Sequence, residues 1–144
     1  MSEVMLREIS IADAKAICAI CCNDLDCPCD IALVEKKIKK LNFDREAVYV
    51  AVMDDAVVGF IHVEQYDTLF LESMANILGI AVQSEYQHHG VGKALLQSAE
   101  AWAAKKKITA MRLNSGSSRT NAHSFYAHLG YRLEKEQLRF VKTL

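Results

Sequence analysis

The sequence predicts a single α+β domain in which a mixed sheet carries helices on both faces. A length of 144 residues, with 51% hydrophobic and 24% charged residues, suits one compact domain over residues 1–144 and excludes a disordered chain. Segments that alternate like strands and segments with the spacing of amphipathic helices follow one another in the order β-α-α-β-β-β-α-β-α-β-β. This order is typical of α+β and mixed α/β folds.

In the first half of the chain, helix-start signals and a change from helical to strand-like spacing of the apolar residues define the predicted elements. Ser10 and Asp13 form an acidic variant of a helix-start signal after the first strand, and Asp30 can cap a second helix. From Ala47 the apolar residues are mostly β-branched, and an Asp-Asp pair at 54–55 separates two such runs. This pattern predicts a hairpin of two antiparallel strands.

In the second half of the chain, apolar runs and glycines define the predicted elements. A nearly all-apolar run predicts a buried strand, and after Gly92 the apolar positions repeat with helical spacing for about four turns. Gly130 stops a shorter helix, and two short apolar runs follow it. In chain order we predict strand 4–9, helices 11–22 and 31–41, strands 48–52, 56–64 and 75–82, helix 92–105, strand 108–113, helix 121–129, and strands 131–133 and 138–141.

The charge balance and the apolar runs exclude several classes of partner. With 17 basic and 18 acidic residues, the chain lacks the basic excess that holds proteins on nucleic acid. No apolar run approaches the roughly 20 residues that a membrane span needs, and the N-terminus has no basic segment followed by an apolar stretch. We therefore expect a cytoplasmic protein that binds neither nucleic acid nor membrane.

The segment 81–94 joins a buried strand, a polar turn and a glycine-containing helix start. The first turn of a helix has unpaired N–H groups and partial positive charge, so a diphosphate ligand fits here, although a plain strand-to-helix loop is the alternative. The dinucleotide pattern is not met because residue 95 is Leu where a third glycine is needed. The P-loop pattern is not met either, because Ala94 supplies no hydroxyl for magnesium.

The run Gln87-His-His-Gly-Val-Gly92 matches the acetyl-CoA motif Gln/Arg-x-x-Gly-x-Gly/Ala, and the chain resembles the GNAT superfamily of N-acetyltransferases. The neighbouring strands and helices are similar to that family in the right order across residues 76–133. The resemblance implies the GNAT fold, a mostly antiparallel central sheet of six to seven strands with a splayed parallel pair and helices on both faces. It also implies acetyl-CoA as cosubstrate, and family habit suggests a homodimer.

The resemblance assigns the residues that hold acetyl-CoA. The splayed strand would pair with the pantetheine arm, the amides at the helix start would hold the diphosphate, and a residue of the later helix would contact pantetheine. The residues are Ile80, Ala81 and Val82 on the strand, Gln87, His88, His89, Gly90, Val91, Gly92 and Lys93 at the helix start, and Asn121.

The chemistry of amine acetylation suggests the catalytic groups. An alkylamine with a pKa of about 10.4 is mostly protonated at pH 7, so attack on the thioester needs a proton acceptor or a lowered amine pKa. Glu64, at the end of the third strand, is our candidate base, with His62 and Glu72 behind it. A structural or solvent-facing role is the favoured alternative for each of them. By the resemblance, an N–H near Val82 meets the oxyanion and Tyr126 protonates the departing thiolate. Packing beneath the last strands is the alternative role of Tyr126.

These residues predict an acetyl-CoA-dependent N-acetyltransferase acting on a primary amine of a small molecule by direct attack in a ternary complex. A protein lysine or N-terminal acetyltransferase is the enzyme alternative. A non-catalytic acyl-CoA sensor and a protein-interaction module are the alternatives from other classes.

All five cysteines fall within twelve residues, at positions 18, 21, 22, 27 and 29. The pairs Cys18/Cys21 and Cys27/Cys29 supply enough sulfur for zinc but do not match the usual zinc knuckles. We therefore expect no metal, and interpret the thiols as core residues or as a wall on the acceptor side.

Overall fold

The computed structural model describes residues 3–144, which form five strands and four α-helices. Two short 3-10 turns, Ile11–Asp13 and Ser84–Tyr86, precede α1 and α3. The order of elements agrees with the sequence prediction as far as the fourth helix. The elements are β1 (Met5–Glu8), α1 (Ala14–Asp24), α2 (Ile31–Lys39), β2 (Glu46–Met53), β3 (Ala56–Tyr66), β4 (Met74–Val82), α3 (Val91–Lys105), β5 (Met111–Leu113) and α4 (Thr120–His128).

The chain divides into two compact units, of which the first ends at Leu113 and the second runs from Asn114 to Leu144. The first unit contains one mixed sheet in the order β1-β2-β3-β4-β5. Its strands pair antiparallel except for β4 and β5, which are parallel. Among the described residues, no helix combines the length and the apolar character that crossing a bilayer requires.

Helices α1 and α3 cover opposite faces of the sheet. Phe60 packs with Ile17 of α1 in one apolar cluster. Gly59 precedes Phe60 and therefore points to the other face, where a Cβ on it would lie 3.2–3.3 Å from side-chain carbons of Val91 and Leu95 in α3. The expectation of helices on both faces is thus confirmed, and the close approach at Gly59 fixes the start of α3 against the sheet.

The predicted start and turn signals are present. The Asp30 carboxylate accepts a hydrogen bond from the backbone N–H of Leu33 at 2.8 Å, which caps α2. Asp54 and Asp55 both have positive φ, at 52° and 60°, as a two-residue hairpin turn with the twist of the flanking strands requires. The hairpin of β2 and β3 is therefore confirmed.

The predicted sheet of six to seven strands is wrong, because the sheet formed by residues 3–144 has five. In the described part of the chain no strand follows Leu113, so the predicted strands 131–133 and 138–141 are not formed. Their apolar side chains are exposed instead, Leu138 at 84% and Phe140 at 89%. An alternating pattern sets which way side chains point, but a strand also needs a partner edge, which the pattern does not specify.

A buried carboxylate, Asp13, ties the turn before α1 to β1. Two nitrogens of the Arg7 guanidinium lie 2.8 Å from its two oxygens, and the Ser10 N–H donates to it at 2.8 Å. The hydrogen bonds from Arg7 lower the pKa of Asp13 below its usual range, with help from Ser10, although burial alone would raise it.

Asp13→Asn is therefore expected to lower the free energy of unfolding at pH 7 by about 1–3 kcal/mol, because it breaks a bidentate charged contact. A lowered folded-state pKa contributes stability above the unfolded pKa of about 3.9 and loses it as the pH falls below that value. Urea titrations of both proteins between pH 7 and pH 3 should thus show a difference that shrinks towards acid. A constant difference would contradict this role.

Candidate active site

One edge of β4 is open just before the motif segment. The edge of β4 that faces β3 is paired as far as Val82. Leu78 is an extra residue in this pairing and forms a β-bulge between Ile77 and Gly79. The parallel pairing with β5 covers only Ala75 to Ile77. Among the described residues, no strand pairs with the β5 side of β4 beyond Ile77. A strand edge of this kind can accept an extended ligand as an added strand.

The predicted pantetheine residues lie on this open part of β4. Ala81 is buried and packs in the cluster that includes Phe60, whereas Ile80 and Val82 are half-buried. All three residues pair in register with residues of β3. Ile80 lies opposite Ile61, and Val82 lies opposite Gly59. The apolar cluster and the pairing with β3 hold this part of β4 in place and leave its β5-side edge open.

The loop after β4 is anchored at both ends. The backbone N–H and hydroxyl of Ser84 donate to the carboxylate of Asp24, the last residue of α1, at 3.1 and 2.7 Å. The side-chain amide of Gln87 donates to the carbonyl of Val82 at 3.2 Å. Because Gln87 makes this contact, its side chain holds the loop against the end of β4.

The start of α3 has the geometry of an anion site. His88 and Gly90 have left-handed backbone conformations, with φ of 67° and 83°. The first bond of the helix runs from the Ala94 N–H to the Gly90 carbonyl at 3.0 Å, and no side chain caps the helix. The N–H groups of Val91, Gly92 and Lys93 thus precede the first intrahelical bond. Residues 87–90 are exposed, and within this segment the Gln87 N–H donates to the Ser84 carbonyl at 3.3 Å.

A row of side chains from three adjacent strands holds the candidate base. Glu64 of β3 lies opposite Asn76 of β4 and accepts a hydrogen bond from its amide nitrogen at 2.8 Å. The amide oxygen of Asn76 accepts from Arg112 of β5 at 2.7 Å, and the Arg112 guanidinium lies 4.5 Å from the centre of the Tyr66 ring. Asn76 is buried, so this row orients the Glu64 carboxylate.

Sequence reasoning missed Asn76 and Arg112. The available signal was a polar residue inside each of two short apolar runs, Ala-Asn-Ile and Met-Arg-Leu. Interpreting that signal needs the register, which places Asn76 beside both Glu64 and Arg112.

His62 and Glu72, the other candidate bases, are placed differently. His62 contacts Glu46 instead of Glu64, because its Nε2 lies 2.6 Å from the Glu46 carboxylate. Burial would raise the pKa of Glu46, but hydrogen bonds from the Asn42 N–H and from His62 outweigh it and lower that pKa. Glu46 pairs directly opposite Glu64, so two carboxylates share one end of this sheet face. Glu72 lies in the exposed connector before β4.

The second unit contains Asn121 and Tyr126, both on α4. Asn121 is exposed, and Tyr126 is half-buried beside two aromatic rings, 5.4 Å from that of Phe125 and 6.2 Å from that of Tyr131. Burial raises the pKa of the Tyr126 phenol, although the Arg119 charge acts in the opposite direction. The phenol therefore keeps its proton at neutral pH and can act as a donor.

The sequence profile of the acetyltransferase (GNAT) family matches residues 16–131. The chain belongs to this family. The resemblance is thus confirmed, and this GNAT acetyltransferase is an acyltransferase that acts on nitrogen. A comparison with curated proteins finds no match to its sequence.

Solved structures with the same fold cover nearly all of this GNAT chain. A transcriptional regulator from Bacillus halodurans C-125 has a TM-score of 0.82 at 23% identity, covering 97% of this chain and 100% of its own. The aminoglycoside 6′-N-acetyltransferase AAC(6′)-Ih from Acinetobacter baumannii has a TM-score of 0.83 at 17% identity, with 99% of both chains covered. AAC(6′)-Iy, in complex with the bisubstrate analog CoA-S-monomethyl-acetylneamine, also reaches 0.83 at 17%, covering 99% of this chain and 100% of its own. At these identities the likeness shows the shared fold.

Proposed function

We propose that this GNAT protein uses acetyl-CoA to acetylate a primary amine of a small molecule, by direct attack of the amine on the thioester in a ternary complex. The observation that carries the proposal is the continuity of the open β4 edge with the start of α3. An extended segment that can pair with amide groups leads, through one anchored loop, to a helix N-terminus that offers donors to phosphate. A coenzyme with an amide-containing arm and a diphosphate needs both features in this order.

The coenzyme site is assigned from these features together with the family motif. The pantetheine arm lies along the β4 edge, and the diphosphate lies on the amides at the start of α3. The residues assigned are Ile80, Ala81 and Val82 for the arm, Gln87, His88, His89, Gly90, Val91 and Gly92 for the diphosphate, Lys93 beside it, and Asn121 for a further pantetheine contact.

Gly90→Ala tests the diphosphate assignment. An Ala at φ 83° costs about 1–2 kcal/mol, so we expect the loop to shift and the Kd for acetyl-CoA to rise about tenfold. Gly130→Ala is the matched control, because Gly130 also has a positive φ, 93°, and lies outside the motif. Isothermal titration calorimetry should show weaker binding for Gly90→Ala alone. Equal weakening in both variants would mean that the effect is general destabilisation.

The proposed transfer moves three protons. Glu64 takes a proton from the ammonium group, directly or through one water molecule, so that the neutral nitrogen attacks the thioester carbonyl. A backbone N–H near Val82 stabilises the oxyanion as the C–N bond forms. The C–S bond then breaks as the carbonyl re-forms, and Tyr126 gives its proton to the CoA thiolate. The phenolate takes the second proton of the attacking nitrogen through water, which leaves a neutral amide and restores the phenol. The role of Tyr126 rests on its match to the tyrosine of the family.

A small cationic amine is the proposed acceptor. Glu46 lies directly opposite Glu64, and the hydrogen bonds that lower the pKa of Glu46 stabilise its anionic form, which would attract a protonated amine. The neighbour AAC(6′)-Iy was solved in complex with the bisubstrate analog CoA-S-monomethyl-acetylneamine, which supports a coenzyme and a small-molecule acceptor as the two substrates here.

An amine panel tests this function. Aminoglycosides, polyamines, a lysine peptide and a peptide with a free N-terminus are each incubated with the protein and acetyl-CoA, and free thiol is measured. We expect thiol release with small polycationic amines. Release with peptides alone would favour the protein acetyltransferase. Tight acetyl-CoA binding without any release would favour a sensor, and no binding at all would indicate an interaction module.

A further inference from the structure

The fold gathers three thiols that the sequence pattern separates. Cys18 and Cys22 stand four residues apart on α1 and therefore lie on the same face, one turn apart. Cys29 comes from the segment between α1 and α2, and its Sγ lies 3.3 Å from that of Cys18. The three Sγ atoms all lie within 4.8 Å of one another.

The backbone around Cys29 holds this arrangement. The N–H of Cys27 donates to the carbonyl of Cys21 at 3.0 Å, which turns the chain back along the end of α1. The carbonyl of Cys29 accepts from the thiols of Cys18 and Cys22, at 3.2 and 3.7 Å. Asp30 then caps α2, so Cys29 is fixed between two helices.

The spacing of the sulfurs suits a thiolate-bound cation. In a tetrahedral site with metal–sulfur bonds of about 2.3 Å, neighbouring sulfurs lie about 3.8 Å apart. The distances here, 3.3 Å for one pair and at most 4.8 Å for all, lie on both sides of that value. Thiolates favour zinc and copper(I) over magnesium and calcium. A disulfide between Cys18 and Cys29 would use only two of the three thiols.

We propose that Cys18, Cys22 and Cys29 form a binding site for a thiophilic cation of the Zn²⁺ class. Each thiol loses its proton to solvent and forms one metal–sulfur bond, and water takes the fourth position. Cys18 is buried, Cys29 half-buried and Cys22 exposed, so the ion enters from the Cys22 side. The bound ion fixes the last turns of α1, whose Asp24 anchors the loop before α3. The proposal departs from our sequence-based expectation that the thiols bind no metal.

Cobalt provides the test. The full-length protein, reduced and stripped of metal with a chelator, is titrated with Co²⁺ and then with Zn²⁺ in competition with a chromophoric chelator. We expect one ion per chain, a sulfur-to-cobalt charge-transfer band, displacement by Zn²⁺, and a higher Tm with Zn²⁺. No acetyl-CoA is present, so the result is independent of acetyl transfer.

Variants make the test specific. Cys22→Ser changes an exposed side chain and should keep the fold, and Cys29→Ser removes the thiol contributed by the segment between α1 and α2. Both should weaken Zn²⁺ binding by more than about 100-fold, since loss of an outer-shell partner alone costs 10–100-fold. Cys27→Ser, also exposed but outside the three-thiol group, is the matched control and should bind normally. Absence of the band, equal binding by all variants, or a Cys18–Cys29 disulfide that persists in excess reductant would overturn the proposal.

Discussion

Glu64→Gln is expected to lower kcat for amine acetylation by about 10²–10⁴-fold, the usual contribution of a general base. The substitution removes the proton acceptor but keeps the shape and an oxygen that can accept from Asn76. KM for acetyl-CoA should change little, because the residues assigned to the coenzyme lie outside β3, the strand that carries Glu64. Steady-state kinetics with the best amine of the panel would measure both constants.

The pH dependence separates a base from a structural carboxylate. As the pH rises towards the amine pKa of about 10.4, solvent removes the proton that Glu64 would have taken. The Glu64→Gln enzyme should therefore recover activity relative to wild type with increasing pH. A deficit that is constant with pH would show a structural role, and a larger loss in Glu72→Gln would place the base in the connector before β4.

Tyr126→Phe is expected to lower kcat by about 10–100-fold. The loss is smaller than for Glu64 because the thiol has a pKa near 8.5. Its thiolate is therefore a weak enough base to leave with little help from a proton donor. Phe keeps the ring that contacts Phe125 and Tyr131, so the packing should be retained. Because burial raises the pKa of the phenol above its usual value, wild-type activity should keep this donor throughout the neutral range.

Tyr131→Phe is the matched control for Tyr126. It removes a phenol from the neighbouring ring in the same unit, whose centre lies 6.2 Å away. Its kcat should stay near that of wild type. Equal kinetics for the two variants would show that Tyr126 packs rather than donates a proton.

Local signals predicted most of the first unit. The Asp30 cap, the Asp54-Asp55 turn and the helix predicted over 92–105 each depend on residues close in sequence. Each is present, with the helix beginning at Val91. The prediction of a last strand pair at 131–133 and 138–141 is wrong because strand pairing depends on residues that are distant in sequence. Residues such as Leu138 and Phe140 have a strand-like pattern, but pairing depends on a partner edge that the pattern does not encode.

Contacts between distant residues limited prediction of the candidate site. The motif located the open β4 edge and the start of α3, because these lie within one continuous segment. The contact of Glu64 with Asn76 depends on strand register, and so does the position of Arg112 on β5. The thiol group likewise required the path of the chain between α1 and α2, because sequence spacing pairs Cys27 with Cys29 whereas the fold brings Cys29 to Cys18.

The most direct test of direct acetyl transfer is a single-turnover reaction followed by mass spectrometry of both the small molecule and the intact protein. The protein is loaded with acetyl-CoA and mixed with the most active amine of the panel. We predict one acetylated amine for each CoA released, and no acetyl group on the protein when the amine is omitted. An acetylated protein formed without amine, or a loaded protein that acetylates no amine, would contradict direct transfer in a ternary complex.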